Sequence, residues 1–358
     1  MMTYEEFKDT VLNEIKGFLP PEFKDCDVRI EKVTKNNGVT YDGLMIDTYQ
    51  VGGQGNKMVP NIYLNKFYED YSKGLQTLDH CLKDIAAARV KFEIPLNQRL
   101  DISDIQDFHK ISGQIKVKLV NYEKNVEFLK DKPHTKFLDM AEVYYLEVGT
   151  FGEGMGSVTI KNTMVDAWMA DGVTMVNSDV LHKVAVDNIA ANQYYEVQSM
   201  KEALMQAMGL MANEADIFDM IGSDLPDNYV ISTKDKLYGA SALLDENLLE
   251  KLSDRMHGDY FIIPSSVHEL ITLPATGNET VEDIEKMIHE VNTTTVSSEE
   301  FLSDKCYKFD AELSRVVFAD EGLSEQRIND RVTEFPLSEE LPFDIGQQQN
   351  FRQHHGGR

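Results

Sequence analysis

YVISTKDKLYGASALLDENLLEKLSDRMHGDYFIIPSSVHELITLP, residues 229–274, decides the fold class because its apolar pattern changes period twice. Tyr229–Ser232 is a short apolar run that reads as a strand. Leu244, Leu248, Leu252 and Met256 then recur every four residues with Leu249 beside them, which predicts one apolar stripe on a helix. Glu246, Glu250, Lys251 and Asp254 fall on its solvent side, and Gly258 stands where a left-handed residue would end it. Two further runs, Tyr260–Pro264 and Val267–Leu273, are rich in Ile, Val, Tyr and Phe, which suit a buried pleated surface. Pro264-Ser265-Ser266 is the expected turn between them. The order is strand, helix, strand, strand.

Working outward, Thr3 and Glu6 have capping-box spacing ahead of the stripe Tyr4, Phe7, Val11, Ile15 and Phe18. Val28–Thr34 and Gly43–Tyr49 predict a hairpin around Asn36-Asn37-Gly38. Two helices follow, one with Leu64, Phe67, Tyr68 and Tyr71 inward and one with Leu78, Cys81, Leu82 and Ile85 inward. Residues 1–93 are thus expected to form a small N-terminal α+β domain, and 94–110 a connector. Residues 111–320 are expected to form a larger α+β domain, a mainly antiparallel sheet with helices packed on one side. Its expected strands include 115–121, 137–148 and 157–161. Helices are expected at 180–191, after a Ser199–Glu202 capping box, and along Val281, Ile284, Ile288 and Val291. The mixed order of elements disfavours a strictly alternating parallel sheet. Residues 321–358 lose apolar periodicity and are expected to be a disordered tail.

The 358 residues fit about two domains, and 42% hydrophobic content supports an ordinary core. Acids outnumber bases 61 to 35, a formal net charge of −26. Such a surface repels phosphate backbones and anionic lipid, so direct nucleic-acid binding through a basic face is not expected; a basic protein partner is compatible with it. Three widely spaced cysteines, Cys26, Cys81 and Cys306, argue for a reducing compartment. The acidic amphipathic N-terminus is not a signal peptide, and no apolar run approaches the roughly 20 residues of a membrane helix. A cytoplasmic protein without membrane contact is the expectation.

Catalytic patterns are incomplete. His268-Glu269 and His289-Glu290 begin like a zinc-peptidase motif, but Thr272 and Thr293 stand where the second histidine is required. His268 is expected in a strand on the face of Leu270 and Thr272, leaving Glu269 among Val267, Ile271 and Leu273. Gly152, Gly154 and Gly156 do not match the dinucleotide spacing, and there is neither a Walker A sequence nor a nucleophile elbow. No metal and no cofactor is expected. A hydrolase-like site would have to draw on His268, Glu269, Ser266 and His134. In the tail, Phe335-Pro336-Leu337 and Leu341-Pro342-Phe343 are apolar islands among acids, with the texture of a docking peptide, so Phe335, Leu341 and Phe343 are candidate binding residues.

Several strings carry a family resemblance: Val33–Gly38 (VTKNNG), Ile62–Asn65 with Phe67-Tyr68, Leu119-Val120-Asn121 with Glu123 and Asn125, Lys132-Pro133-His134, Tyr238-Gly239-Ala240, and Ile263–Glu269 (IPSSVHE). Together they resemble an uncharacterised bacterial family known only as domain of unknown function 5688, across most of residues 1–320. The element order is more remotely similar to a second uncharacterised bacterial family. The resemblance implies a bacterial protein and brings no catalytic residue with it. Asn121 and Tyr238 stand in these strings as further candidate binding residues. The leading expectation is a non-enzymatic binding or adaptor protein. The alternatives are an acidic decoy of a nucleic-acid-binding protein and a hydrolase-like enzyme using His268 and Glu269.

Overall fold

Thr3 starts the first helix as its spacing requires. In the computed structural model its hydroxyl accepts the Glu6 N–H at 3.3 Å, while the Glu6 carboxylate accepts the Thr3 N–H at 2.8 Å. The structure describes residues 1–47, 60–91, 105–151, 154–170, 172, 175–192, 194–207, 228–275 and 280–320. All elements below belong to the unit Met1–Ala319. Helix α1 (Tyr4–Glu14) buries Phe7 and Val11. They meet β1 (Asp27–Thr34) and β2 (Thr40–Asp47), joined in antiparallel register from Asp27↔Asp47 to Thr34↔Thr40. The expected Asn-Asn-Gly turn is present, with Asn37 and Gly38 left-handed at φ 57° and 73°. Strand β3 (Asn61–Tyr63) adds to β2, and α2 (Leu64–Ser72) and α3 (Leu78–Lys91) close a core of Phe7, Val11, Leu44, Ile46, Cys81 and Ile85.

After the short helix α4 (Phe108–Ile111) comes β4 (Ile115–Asn121), then α5 (Val126–Leu129), β5 (His134–Phe137), β6 (Met140–Phe151) and β7 (Gly154–Thr159). Strand β6 pairs with β4 along one edge, and with β5 and then β7 along the other. The sequence pattern reads one strand through 137–148. The chain instead reverses at Leu138-Asp139, with Leu138 held left-handed at φ 54°. Leucine is a poor turn residue, so nothing local announces this reversal. Leu138 is buried, and the Asp139 carboxylate accepts the Tyr307 and Ser303 hydroxyls, each at 2.6 Å, so tertiary contacts hold the turn. Val117 and Leu119 are buried on one face of β4, and alternation puts Lys116, Lys118 and Val120 on the other. Helices α6 (Asn162–Ala170) and α7 (Ser178–Asn192) follow; α6 buries Trp168, whose Nε1 donates to the Ile105 carbonyl at 2.7 Å.

The remaining strands form a six-stranded antiparallel sheet in the order β13-β12-β10-β11-β9-β8. They are β8 (Tyr195–Ser199), β9 (Tyr229–Thr233), β10 (Tyr260–Ser266), β11 (Glu269–Pro274), β12 (Tyr307–Asp310) and β13 (Arg315–Phe318). The expected capping box is present, Ser199 with Glu202 at the start of α8 (Met200–Ala207). The fold class is α+β and, among the described residues, all strand pairs are antiparallel, but the described part of 115–318 builds two sheets where one is expected. Helices also cover both faces of the larger sheet, not one. On one face, α9 (Glu246–Met256) accepts the Tyr260 hydroxyl at its Leu249 carbonyl. On the other, α10 (Val281–Thr294) packs Ile284 and Ile288 against Phe261 and Ile263. The unbroken run Tyr-Phe-Ile-Ile carries that message, since a half-exposed strand would alternate.

Three details of the central stretch differ from expectation. The left-handed residue ending α9 is His257 (φ 63°), one before Gly258. Pro264 lies inside β10 opposite Leu270, and the turn is Val267-His268. Strand β12 stops opposite Ile262, so the N–H that Pro264 lacks costs no ladder bond. His268 is therefore a turn residue rather than a strand residue. Cys26, Cys81 and Cys306 are all buried. The candidate docking residues Phe335, Leu341 and Phe343, residues 94–104 of the expected connector and Gly152 lie outside the described residues. Among the described residues no helix is long and apolar enough to cross a membrane.

Candidate functional site

A cavity of about 470 Å3 opens where the three sheets meet. The β1–β2 turn contributes Lys35 and Asn36. Strand β4 contributes Lys118, and β7 contributes Ser157 and Thr159. Tyr238 and His268 come from the large sheet's connections, and Glu299 and Glu300 from the loop before β12. That loop is a strut between the other walls. Asn36 Nδ2 donates to the Glu299 carbonyl at 2.7 Å, and the Val267 N–H donates to the Glu300 carbonyl at 2.9 Å.

A clasp of asparagines fixes the strut. Asn125, buried on the turn after β4, donates to the Asn37 Oδ1 at 2.7 Å and to the Asn121 carbonyl at 2.8 Å, and accepts the Asn37 N–H at 2.8 Å. Asn37 donates to the carbonyls of Phe301 at 2.7 Å and Ser298 at 2.9 Å. Asn121 donates to the Leu302 carbonyl at 2.9 Å. On the opposite wall, Tyr238 is left-handed at φ 57°, and the Gly239 N–H donates to the His268 carbonyl at 3.0 Å. Strained residues of this kind persist where the surroundings over-determine them, often at sites of function.

Lys118 is the most perturbed cation of the cavity. Its Nζ lies 4.8 Å from the Tyr238 ring centroid. Burial, aided by the charge of Lys35, pushes its pKa down to about 8. By surface area the side chain is only half-buried, because the cavity opens to solvent, yet protein surrounds the ammonium on its other sides. Folded Lys118 thus releases its proton below the 10.5 of a free lysine, so its contribution to stability rises with pH between about 8 and 10.5. Lys118→Met is expected to raise stability at pH 7 by roughly 1–2 kcal/mol, a gain that disappears by about pH 10.5. Urea titrations at the two pH values check this; a loss of stability at pH 7 would contradict the assignment.

His268 accepts the Tyr238 N–H at Nδ1, 3.1 Å away, which leaves the proton of the neutral ring on Nε2. Burial pushes its pKa down, against the pull of Glu300, whose Oε1 is 3.8 Å from Nε2. The site therefore presents an amine of lowered basicity, a neutral imidazole N–H, a phenol and two carboxylates. Among the described residues no group of three His, Cys, Asp or Glu is placed to hold a metal ion.

Residues 4–311 match the model of a family of unknown function (DUF5688). The chain belongs to that family. No curated protein and no solved structure matches it. Four of the strings that carry the DUF5688 resemblance, 33–38, 119–121, 238–240 and 263–269, contribute residues to the wall of this cavity.

The sequence candidates are only partly brought together in this DUF5688 chain. Tyr238 and His268 line the cavity, their ring centroids 5.6 Å apart. Ser266 instead accepts the His268 N–H at 3.0 Å, and Glu269 accepts the Ser265 hydroxyl at 2.9 Å, so both serve the β10–β11 turn. His134 shares a cross-strand row with Val143 and Lys118, but its Nδ1 is 2.9 Å from the Lys132 carbonyl and its ring packs near Tyr122. Asn121 belongs to the clasp. Lys118, Lys35 and Glu299 were not singled out by pattern; the available signal was that period-two alternation puts Lys118 in the middle of an otherwise buried strand.

A second cluster also escaped pattern reading. His182 on α7 meets the buried Glu142 of β6, Nδ1 to Oε2 at 2.6 Å, and Glu142 also accepts the Tyr144 hydroxyl at 3.0 Å. The Glu142 carboxylate holds the His182 pKa above that of a free histidine, against burial. Since the folded pKa is the higher one, the resulting stability is complete below about pH 6.5 and is lost as pH rises through the folded value. Glu142→Gln is expected to lower the His182 pKa and remove that pH dependence, as read by NMR titration of the ring protons.

Proposed function

We propose that the chain acts by binding rather than by catalysis, and that the cavity around Lys118 holds a small polar molecule with an anionic group. One observation carries this reading: two lysines, Lys35 and Lys118, line a single cavity in a chain of net charge −26. A volume of about 470 Å3 is within the range of small-molecule sites. A carboxylate or phosphate placed between the two ammonium groups would relieve the unpaired charge of Lys118. Donors elsewhere on the ligand would meet Glu299 and Glu300. Non-enzymatic action is supported by the engagement of Ser266 and Glu269 in their own turn, away from His268 as a base.

The test is thermal unfolding of the full chain in a concentration series of inorganic phosphate and of glycolate, with Lys118→Met alongside. A ligand at 100 times its Kd adds about 2.7 kcal/mol to stability. The expected result is a rising Tm in the wild type with at least one anion and little or none in Lys118→Met. Equal shifts in both proteins, or none in either, would overturn the reading.

A further inference from the structure

The lysines of β4 and its neighbours are not equivalent. Lys116, two residues earlier on the same face, is paired with Glu147. Lys132 donates to the Phe128 carbonyl at 2.7 Å and is paired with Asp131. Lys118 has only the face of Tyr238; among the described residues no carboxylate or carbonyl lies within hydrogen-bonding distance of its Nζ. It is also held on a rigid element, since β4 pairs with β6 at every residue from Ile115 to Asn121. An amine fixed in a cavity, with no hydrogen-bonded counter-ion, Glu299 acting on it only through space, and beside a second ammonium, is the arrangement that makes lysine a nucleophile.

We propose that Lys118 captures its ligand covalently and reversibly, as an imine with an aldehyde or ketone carbonyl on the anionic molecule. This rests on the cavity being the binding site. The lone pair of neutral Nζ attacks the carbonyl carbon; the C–N bond forms as the C=O π pair moves to oxygen. Transfer of a proton from nitrogen to that oxygen gives the carbinolamine. A second protonation of the same oxygen, from the Nε2–H of His268 or the hydroxyl of Tyr238, lets the C–O bond break with loss of water and leaves the iminium. Deprotonation of the iminium returns that proton, so the sum is amine plus carbonyl giving imine plus water, with no change of oxidation state. Lys35 remains to hold the anionic end. The pKa of about 8 leaves a substantial fraction of Lys118 unprotonated at neutral pH, where exposed lysines are almost wholly charged.

Glyoxylate, which carries both a carboxylate and an aldehyde, is the probe. The full chain is treated with limiting glyoxylate and cyanoborohydride at pH 7.5, and the reduced adducts are located by peptide mass spectrometry. The expected result is a single carboxymethyl group on Lys118, formed roughly 100-fold faster than on exposed lysines. Adducts spread over the lysines without preference for Lys118 overturn the covalent inference. Glycolate has the carboxylate without the aldehyde and separates the two ideas. If glycolate raises the wild-type Tm but not that of Lys118→Met, and glyoxylate does not select Lys118, binding stands and imine formation falls. If neither compound shifts the Tm and Lys118 is not selected, both fall. Lys118→Arg, which keeps the cation and lacks the amine, is expected to lose the selective adduct.

Discussion

Gly239→Ala is expected to destabilise the protein by at least about 3–4 kcal/mol, or to prevent folding. A Cβ built on Gly239 would lie 2.4 Å from the His268 carbonyl oxygen and 2.6 Å from the Ser232 Cα. Both are backbone atoms, so no rotamer change relieves the clash. The same His268 carbonyl accepts the Gly239 N–H and the Ser232 hydroxyl, so moving it breaks two hydrogen bonds as well. Gly113→Ala is the control: nothing lies within 4 Å of its added Cβ, and the expected change is within about 0.5 kcal/mol. Urea unfolding followed by Trp168 fluorescence gives both values. Trp168 is the single tryptophan and is fully buried, so its emission shifts on unfolding. Equal stability of the two variants would show that the approach of the two backbones is not as tight as described.

Asn125→Ala is expected to cost roughly 3 kcal/mol. Asn125 is 1% exposed and makes three hydrogen bonds, so its loss leaves the Asn37 N–H, the Asn37 Oδ1 and the Asn121 carbonyl without their partner. Each orphaned buried group costs on the order of 1 kcal/mol or more. Asn37→Ala removes the same pair from the other side and also frees the Phe301 and Ser298 carbonyls. The double variant should therefore be clearly less destabilised than the sum of the single ones, which denaturant titration of all four proteins measures as a coupling energy. Strict additivity would mean that the two side chains do not act as one clasp.

Where local rules decide the structure, the residues announce it. The capping pair Thr3–Glu6, the Asn36-Asn37-Gly38 turn and the four-residue stripe along 244–256 all fold as their spacing dictates. Where tertiary contacts decide, the residues are silent. Leu138 turns the chain because Asp139 is tied to Tyr307 and Ser303, more than 160 residues away. Pro264 stays in a strand because a neighbouring strand happens to stop short of it. His268 was visible as an interesting side chain, but its role as hydrogen-bond acceptor for Tyr238 depends on a connection between two other strands. Lys118 was invisible for a related reason: a lysine in a strand is ordinary until three sheets enclose it.

The asparagine clasp has a consequence for how the chain is made. Asn37 and its partner Phe301 are 264 residues apart in sequence. At a synthesis rate of roughly 5–20 residues per second, the hairpin emerges about 13–53 seconds before its acceptor exists. Throughout that interval the N-terminal layer must persist with one edge unfastened, and the Lys118 chamber has no roof. A chain stalled before the strut would lack the Glu299 and Glu300 wall of the cavity.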